Sequence, residues 1–192
     1  MSQVPASACW RHEGLRSGFE VVHFTPHADG LRIDGTTVGL QDGLAFVVSY
    51  KLNVDDAWRT RQAQVRTRTS SGSIERLVEA DGMGHWLVDA HEAHHLDGCT
   101  DVDLESSAVT NALPIHRLGL TQGQSATAPA AYVRLPDAEV QRLEQSYTRL
   151  EDQDNGHPYY HYQAPAFEFR ANLLYDHASL ILKYPGIATR AG

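Results

Sequence analysis

Short stretches in which apolar and polar residues alternate run through residues 19–120, and glycines and Asp-Gly pairs separate them. Because successive side chains of a β-strand point to opposite faces, this alternation predicts strands with one buried face. The clearest cases are residues 44–52, with Phe46, Val48, Tyr50 and Leu52 on one face, and residues 167–175, with Phe167, Phe169, Ala171, Leu173 and Tyr175. Turn residues at Asp29-Gly30, Asp81-Gly82 and Asp176-His177 predict hairpins.

One segment has a different spacing. From Val140, apolar residues recur three and four positions apart at Leu143, Tyr147 and Leu150, and Pro136-Asp137 precedes them as a start signal. This spacing predicts one main α-helix near residues 137–151. A sheet with one buried face must close on itself or be covered, and a single helix covers only part of it. We therefore predict a mainly-β, antiparallel, barrel-like roll that forms a single domain over residues 1–192.

The composition of the chain limits the partners and the cellular compartment that we expect. The 192 residues carry a formal charge of -8, which disfavours contact with nucleic acid and with anionic membrane surfaces. The two cysteines, Cys9 and Cys99, match no zinc-binding or redox spacing, and we assign no metal and no cofactor. No stretch reaches the ~18–20 apolar residues that a membrane span needs, and the first residues contain no apolar signal segment. These features predict a cytoplasmic protein with no integral membrane segment.

The segment His91-Glu92-Ala93-His94-His95 matches the HExxH pattern of zinc metalloproteases. That chemistry requires the first and last histidines one turn apart on a helix, with the glutamate acting as a base beside zinc-bound water. Asp97-Gly98 follows almost immediately, however, and favours a short polar connection. We interpret the segment as a solvated histidine-rich loop, and its binding of a metal stays an open question.

A second cluster comprises Asp101, Asp103 and Glu105, whose alternation with aliphatic residues places three carboxylates on one face of a strand. One interpretation is an acidic, solvent-exposed face. The other is a hydrolase that uses this row, with or without a metal held by the histidine loop, since paired carboxylates perform glycoside hydrolysis. The chain contains no GxSxG elbow, phosphate-binding loop or dinucleotide-binding glycine pattern. We therefore assign no catalytic residue and keep the hydrolase as the alternative function.

Several motifs, in chain order YKL (50–52), WRTR (58–61), GCTDVDL (98–104), TNALPIHRL (110–118), AYVR (131–134) and LKYPG (182–186), together span nearly the whole chain. With them the sequence resembles the bacterial putative glycolipid-binding family. The resemblance implies a spiral β-roll similar to that of bacterial lipoprotein carriers. It also implies an apolar cavity for a lipid-bearing ligand, and it implies no established reaction.

A glycolipid site needs an apolar cavity for acyl chains and polar or aromatic groups for the sugar. From the matched motifs we expect the aromatic residues Trp58, Tyr132 and Tyr184 to stack on sugar or to line the cavity, and Arg61, Asp103, Asn111 and Arg117 to hydrogen-bond the headgroup. The alternatives are core packing for the aromatics, an ion pair between Asp103 and Arg117, and a turn cap by Asn111. The predicted function is non-catalytic binding of a glycolipid or other amphipathic small molecule, and the sequence leaves open whether the interior is hollow or packed.

Overall fold

A computed structural model, which describes residues 4–192, shows a chain composed mostly of strands. The first nine strands are β1 (Ser7–His12), β2 (Arg16–His27), β3 (Gly30–Gln41), β4 (Leu44–Asp55), β5 (Thr60–Thr69), β6 (Gly72–Ala80), β7 (Trp86–Val88), β8 (His91–Glu92) and β9 (Asp101–Leu104). After the α-helix α1 (Ala112–Leu118) come β10 (Ser125–Thr127), β11 (Ala130–Val133), β12 (Val140–Leu143), β13 (Ser146–Arg149), β14 (Tyr159–Ala164), β15 (Phe169–Tyr175), β16 (Ile181–Tyr184) and β17 (Ala188–Arg190). Short 3-10 turns occupy His94–Leu96, Val109–Asn111, Asp154–Gly156 and Pro165–Phe167.

Fourteen of these strands form one large antiparallel sheet in the order β10-β13-β14-β15-β16-β17-β1-β2-β3-β4-β5-β6-β7-β8. The first and last strands of the chain lie side by side in the middle of this sheet, with Trp10 opposite Arg190. The short strands β10 and β8 form its two edges, so the sheet is not closed into a barrel. The predicted mainly-β class with one α-helix is confirmed for the described residues.

The long hairpins of β2 to β5 form as the alternation predicts. In β4, Phe46, Val48, Tyr50 and Leu52 are all buried. The turn between β3 and β4 places two consecutive residues at positive φ, 50° and 79° at positions 42 and 43, which is the type I′ geometry that matches the twist of paired strands. The three predicted hairpins are also confirmed, since β2–β3, β6–β7 and β15–β16 pair antiparallel.

A second sheet of three strands lies inside the first, in the order β12-β11-β9. Its β9 and β11 run parallel, whereas the large sheet is antiparallel as predicted. Every residue of both strands is buried, as expected for strands covered on both faces. Polar contacts fasten β9 and the residues after it to the long hairpins: the Thr60 hydroxyl accepts the Val102 amide at 2.9 Å, and the Thr37 hydroxyl donates to the Ser106 carbonyl at 2.9 Å.

The predicted helix over residues 137–151 is wrong, because this segment forms β12 and β13, which belong to different sheets. Leu143 and Tyr147 are buried as the spacing indicated. They are four residues apart because a two-residue connection, Glu144 and Gln145, separates the two strands, and each strand buries one of them. The single α-helix of the described chain is α1, where Pro114 lies in the first turn and its missing amide costs nothing. It ends at Gly119, whose φ of 54° suits a left-handed C-cap.

None of the helices within residues 4–192 has the length and apolar character that a bilayer span requires.

Candidate ligand-binding site

A cavity of about 550 Å³ lies beside the inner sheet, where β9 and β11 face β14, β15 and β16. Part of its wall is apolar and is formed by Leu104, Leu135, Leu143, Ala164, Phe169 and Ile187. The rest carries charges, hydroxyls and an amide, from Arg16, Asp103, Glu105, Ser107, Asn111, Tyr132, Tyr162 and Tyr184. The interior is therefore hollow here and amphipathic.

The mouth of the cavity exposes large apolar side chains. Leu15, in the turn before β2, is 75% exposed, and Phe167, in the 3-10 turn before β15, is 51% exposed. The Phe167 ring lies 5.4 Å from the ring of Tyr132. Arg134 also lines the opening, and its guanidinium pairs with Asp137 at 2.6 Å and with Glu139 at 2.8 Å. An apolar rim thus leads into the apolar wall.

Three aromatic rings from β14, β15 and β16 pack against one another in the cavity wall. The ring centroids of Tyr162 and Phe169 are 6.1 Å apart, those of Tyr162 and Tyr184 are 6.0 Å apart, and those of Phe169 and Tyr184 are 6.0 Å apart. Tilted and edge-on rings at these distances stabilise each other. Alternation along neighbouring antiparallel strands brings the three residues together on the inner face.

Asp103 projects from β9 into this aromatic environment. The residue is 8% exposed, and its Oδ1 accepts a hydrogen bond from the Thr110 hydroxyl at 2.9 Å. Burial above all, and to a smaller extent the charges of Asp101 and Glu105, raise its pKa; the Thr110 hydroxyl and Arg16 oppose the rise, and the resulting pKa is about 6. Among the described residues, no basic side chain pairs with Asp103 within 4 Å.

The neighbouring carboxylate, Glu105, has its own partners. The guanidinium of Arg16 donates to the Glu105 backbone carbonyl at 2.5 Å and lies 3.6 Å from the carboxylate. The Leu135 amide donates to the same carboxylate at 2.8 Å. Arg16 is therefore engaged by Glu105, and Asp103 forms no direct ion pair within residues 4–192.

The third acidic residue, Asp101, is outside the cavity. The Arg117 guanidinium donates two hydrogen bonds to its carboxylate, at 3.1 Å from Nε and 2.5 Å from Nη2, and the Asp101 side chain is 1% exposed. An exposed acidic face is therefore a wrong interpretation of this row, because the inner sheet is covered on both sides. The three carboxylates of the row also lie in different places, since only Asp103 and Glu105 line the cavity.

Four of the seven predicted site residues, Asp103, Asn111, Tyr132 and Tyr184, line the cavity. Asn111 immediately precedes α1 and makes no capping bond with its side chain, whose Oδ1 instead accepts the Tyr147 hydroxyl at 3.0 Å. Their contact with a ligand stays a prediction.

Trp58, Arg61 and Arg117 lie elsewhere among the described residues. The Trp58 indole stacks on the His116 ring with centroids 3.6 Å apart, and Arg61 lies 3.8 Å from Asp55 near the surface. Arg117 pairs with Asp101, so the proposed ion pair with Asp103 does not form. Trp58 and Arg117 thus have structural partners that account for them.

Sequence reasoning missed several cavity residues, among them Arg16, Ser107, Tyr162 and Phe169. Phe169 was predicted as a buried strand residue, and the same alternation continues at Tyr160 and Tyr162 in β14, so a signal for both existed. No sequence signal pointed to Arg16, because it is a buried arginine at the start of β2 whose partner Glu105 is 89 residues away.

The histidine-rich segment lies in a different place. His91 and Glu92 form β8, and His94 and His95 begin a 3-10 turn, so the α-helix that zinc proteases require is not formed. His94 pairs with Glu92 at 3.1 Å, on the surface, and the hollow that both line shares no residue with the ligand cavity. Within the described part of the chain, no cluster of three metal-ligating side chains occurs.

An open, curled sheet around a small inner sheet, with an aromatic-lined amphipathic cavity between them, defines the class as a mainly-β protein with an internal ligand-sized cavity. The sequence profile of the family described as putative glycolipid-binding matches residues 7–190, and the chain belongs to this family.

Two solved structures share the fold. A DUF1089 family protein from Pseudomonas aeruginosa is 29% identical, with a TM-score of 0.78 over 100% of this chain and 95% of that chain. A β-barrel-like protein of a domain of unknown function, DUF1849, from Brucella abortus is 10% identical, with a TM-score of 0.57 over 99% of this chain and 95% of that chain. The second likeness concerns the fold alone. Among curated proteins, no sequence matches this chain.

Proposed function

We propose that this protein is a non-catalytic binding protein that holds a glycolipid or another amphipathic small molecule in the cavity beside the inner sheet. The observation that carries the proposal is that apolar side chains and polar side chains line the same cavity. An acyl chain would lie along Leu143, Ala164 and Ile187, and a polar headgroup would lie near Asp103. The family description supports the same ligand class.

The size of the cavity is consistent with such a ligand. About 550 Å³ lies within the ~300–1,000 Å³ of typical small-molecule sites. Burying an acyl chain stabilises a complex by about 0.8 kcal/mol for each methylene removed from water. The apolar wall therefore supplies affinity, and the polar wall supplies orientation.

The exposed rim suggests how the ligand enters. Leu15 and Phe167 keep apolar surface in water at the mouth of the cavity. An acyl chain that leaves a membrane or a micelle can contact these side chains before it reaches the interior, which shortens its exposure to water.

A fluorescent fatty-acid probe that brightens in apolar surroundings tests the proposal. We expect saturable binding by the wild-type protein, and weaker binding by Leu15→Ser and Phe167→Ser. The matched control is Met83→Ser, which changes a side chain that is 85% exposed and does not line the cavity. Equal binding by all three variants would contradict the proposed entrance.

A second variant acts inside the cavity. Ala164 is 1% exposed and lines the wall, so Ala164→Leu should reduce the space for a chain and weaken probe binding. Thermal unfolding verifies that this variant is folded. Unchanged affinity in a folded Ala164→Leu protein would argue against an acyl chain at this wall.

The alternative function, a hydrolase, would have to use Asp103 and Glu105 alone, because Asp101 is paired with Arg117 and does not line the cavity. The histidine segment lines a separate hollow and offers no route for metal assistance at the cavity. A panel of esters, glycosides and phosphates, with and without zinc, tests this alternative. Turnover that Asp103→Asn abolishes would replace the binding proposal with a catalytic one.

We further propose that residues 1–192 act as one domain in the bacterial cytoplasm, without a nucleic-acid partner. Cys9 and Cys99 are both free thiols, which is typical of a reducing compartment. Cell fractionation with an antibody tests the location, and recovery with periplasmic markers would contradict it.

A further inference from the structure

We infer that the cavity selects an amphiphile whose headgroup carries a positive charge, a protonated amine or a quaternary ammonium, and that Asp103 and the surrounding aromatic rings form the subsite for this headgroup. The inference rests on the proposed function, because it concerns the same cavity and names the chemical class of its ligand.

The first argument is the charge inside the cavity. Asp103 is more than nine-tenths buried and lines the cavity, and its one hydrogen bond comes from the neutral Thr110 hydroxyl. Arg16 is held by Glu105, and Arg134 at the rim is held by Asp137 and Glu139. A buried carboxylate is costly unless a cation pairs with it, and within residues 4–192 no cation does so. A cationic ligand would supply the missing counterion.

The second argument is the set of rings around this carboxylate. Tyr132, Tyr162, Phe169 and Tyr184 all line the same cavity. Their faces attract ammonium groups, and aromatic cages are a common way to bind quaternary ammonium ligands. Burial keeps the hydroxyls of Tyr132, Tyr162 and Tyr184 protonated by raising their pKa values, and the charge of Asp103 adds to each of these shifts. The rings therefore remain neutral, and the carboxylate is the charged group that meets the ligand.

Other headgroups match the cavity less well. An anionic group would face Asp103 and Glu105 with the nearest cation, Arg16, already engaged. A neutral sugar would donate hydroxyls to Asp103 but would leave its charge without a counterion inside the protein. An amino sugar on an acyl chain satisfies both requirements, since it has hydroxyls for the tyrosines and an ammonium for the carboxylate.

The charged groups around Asp103 set the pH dependence of such binding. On its own strand, Asp101 and Glu105 raise its pKa; on β2, Arg16 lowers it, and the net value is about 6 because burial dominates. An alkylammonium ligand stays charged throughout this range, whereas Asp103 gains its charge as the pH rises. The affinity for a cationic ligand should therefore increase from about pH 5 to about pH 7.

Calorimetric titration with three ligands of equal chain length tests the inference: octylammonium, octyl glucoside and octanoate, each below its aggregation concentration. We expect octylammonium to bind more tightly than either of the others to the wild-type protein at pH 7.5. Asp103→Asn keeps the shape and the acceptor for Thr110, and it should weaken octylammonium binding by about ten- to a hundredfold. Octyl glucoside binding should change by less than about threefold. The matched control is Asp29→Asn, which makes the same change of charge at an exposed turn.

The outcomes separate the inference from the proposed function. Equal affinities for octylammonium and octyl glucoside, both unaffected by Asp103→Asn, would overturn the inference and leave the binding function intact. Binding of none of the three ligands would overturn both. If Asp103→Asn does not fold, the wild-type pH series decides: a rising affinity for octylammonium, with a flat one for octyl glucoside, supports the inference, and two flat series overturn it.

Discussion

The buried ion pair between Asp101 and Arg117 fastens β9 to α1, and removing one partner should be costly. Arg117→Met keeps much of the aliphatic stem but removes two hydrogen bonds to a carboxylate that is 1% exposed. A buried pair broken on one side costs about 3–5 kcal/mol, because the remaining charge has no counterion. That is a large part of the ~5–15 kcal/mol that stabilises a typical domain. We therefore expect the free energy of unfolding of Arg117→Met to fall by this amount at pH 7.5.

The pH dependence of the loss identifies its cause. Burial raises the pKa of Asp101, and Arg117 opposes that shift, so the pKa rises further in Arg117→Met. A raised folded-state pKa means that stability is fully present below the unfolded pKa and is lost as the pH rises through the folded value. The defect should accordingly be small near pH 4 and full at pH 7.5.

Urea unfolding at both pH values measures the effect. Arg32→Met is a suitable control, since it breaks an exposed pair with Asp34 whose contribution should be at most about 1 kcal/mol. The double variant Asp101→Asn/Arg117→Met should recover part of the stability, because it leaves no buried charge. A loss below about 1 kcal/mol in Arg117→Met, or one equal at pH 4 and pH 7.5, would refute the reasoning.

Three further outcomes are expected. Glu20 is fully buried and accepts a hydrogen bond from the Tyr50 hydroxyl at 2.5 Å, and burial raises its pKa. The free energy of unfolding of the wild-type protein should therefore fall as the pH rises above the ordinary carboxyl range. Urea unfolding of Glu20→Gln should not show this fall. Gly35→Ala should lower the free energy of unfolding by about 1–3 kcal/mol, because its Cβ would lie 2.0 Å from the Tyr50 ring; an unchanged thermal midpoint would contradict this. A double variant in which the exposed residues His91 and His95 are changed to Ala should have the thermal midpoint of the wild type and the same response to zinc. A rise of the midpoint with zinc that only the wild type shows would reveal a metal site.

Local patterns predicted the strands because the buried face of each is set by its own residues. The alternation at Phe46, Val48 and Tyr50 survives in β4, where one face of the strand is buried. The same reasoning failed at residues 137–151, since two short strands joined by a two-residue connection can imitate helical spacing. It also failed for Asp101, because a carboxylate on an inner strand is buried by residues far away in the sequence.

The candidate site was predictable only in part for the same reason. Residues in the matched motifs, such as Asp103 and Tyr132, pointed to the correct strands, β9 and β11, which pair directly. The partners that complete the cavity come from β2 and β14, and nothing local in the sequence relates Arg16 to Glu105 or Tyr162 to Asp103. Charge pairing likewise depends on the fold, which pairs Arg117 with Asp101 and gives Asp103 no direct ion pair among the described residues.

The most direct test of the account is native mass spectrometry of the protein purified from its own host, followed by organic extraction and identification of anything retained. We expect one amphiphile per chain, with an acyl chain and a nitrogen-bearing headgroup, and we expect its occupancy to fall in Asp103→Asn. An empty protein that also takes up no lipid probe would contradict the account.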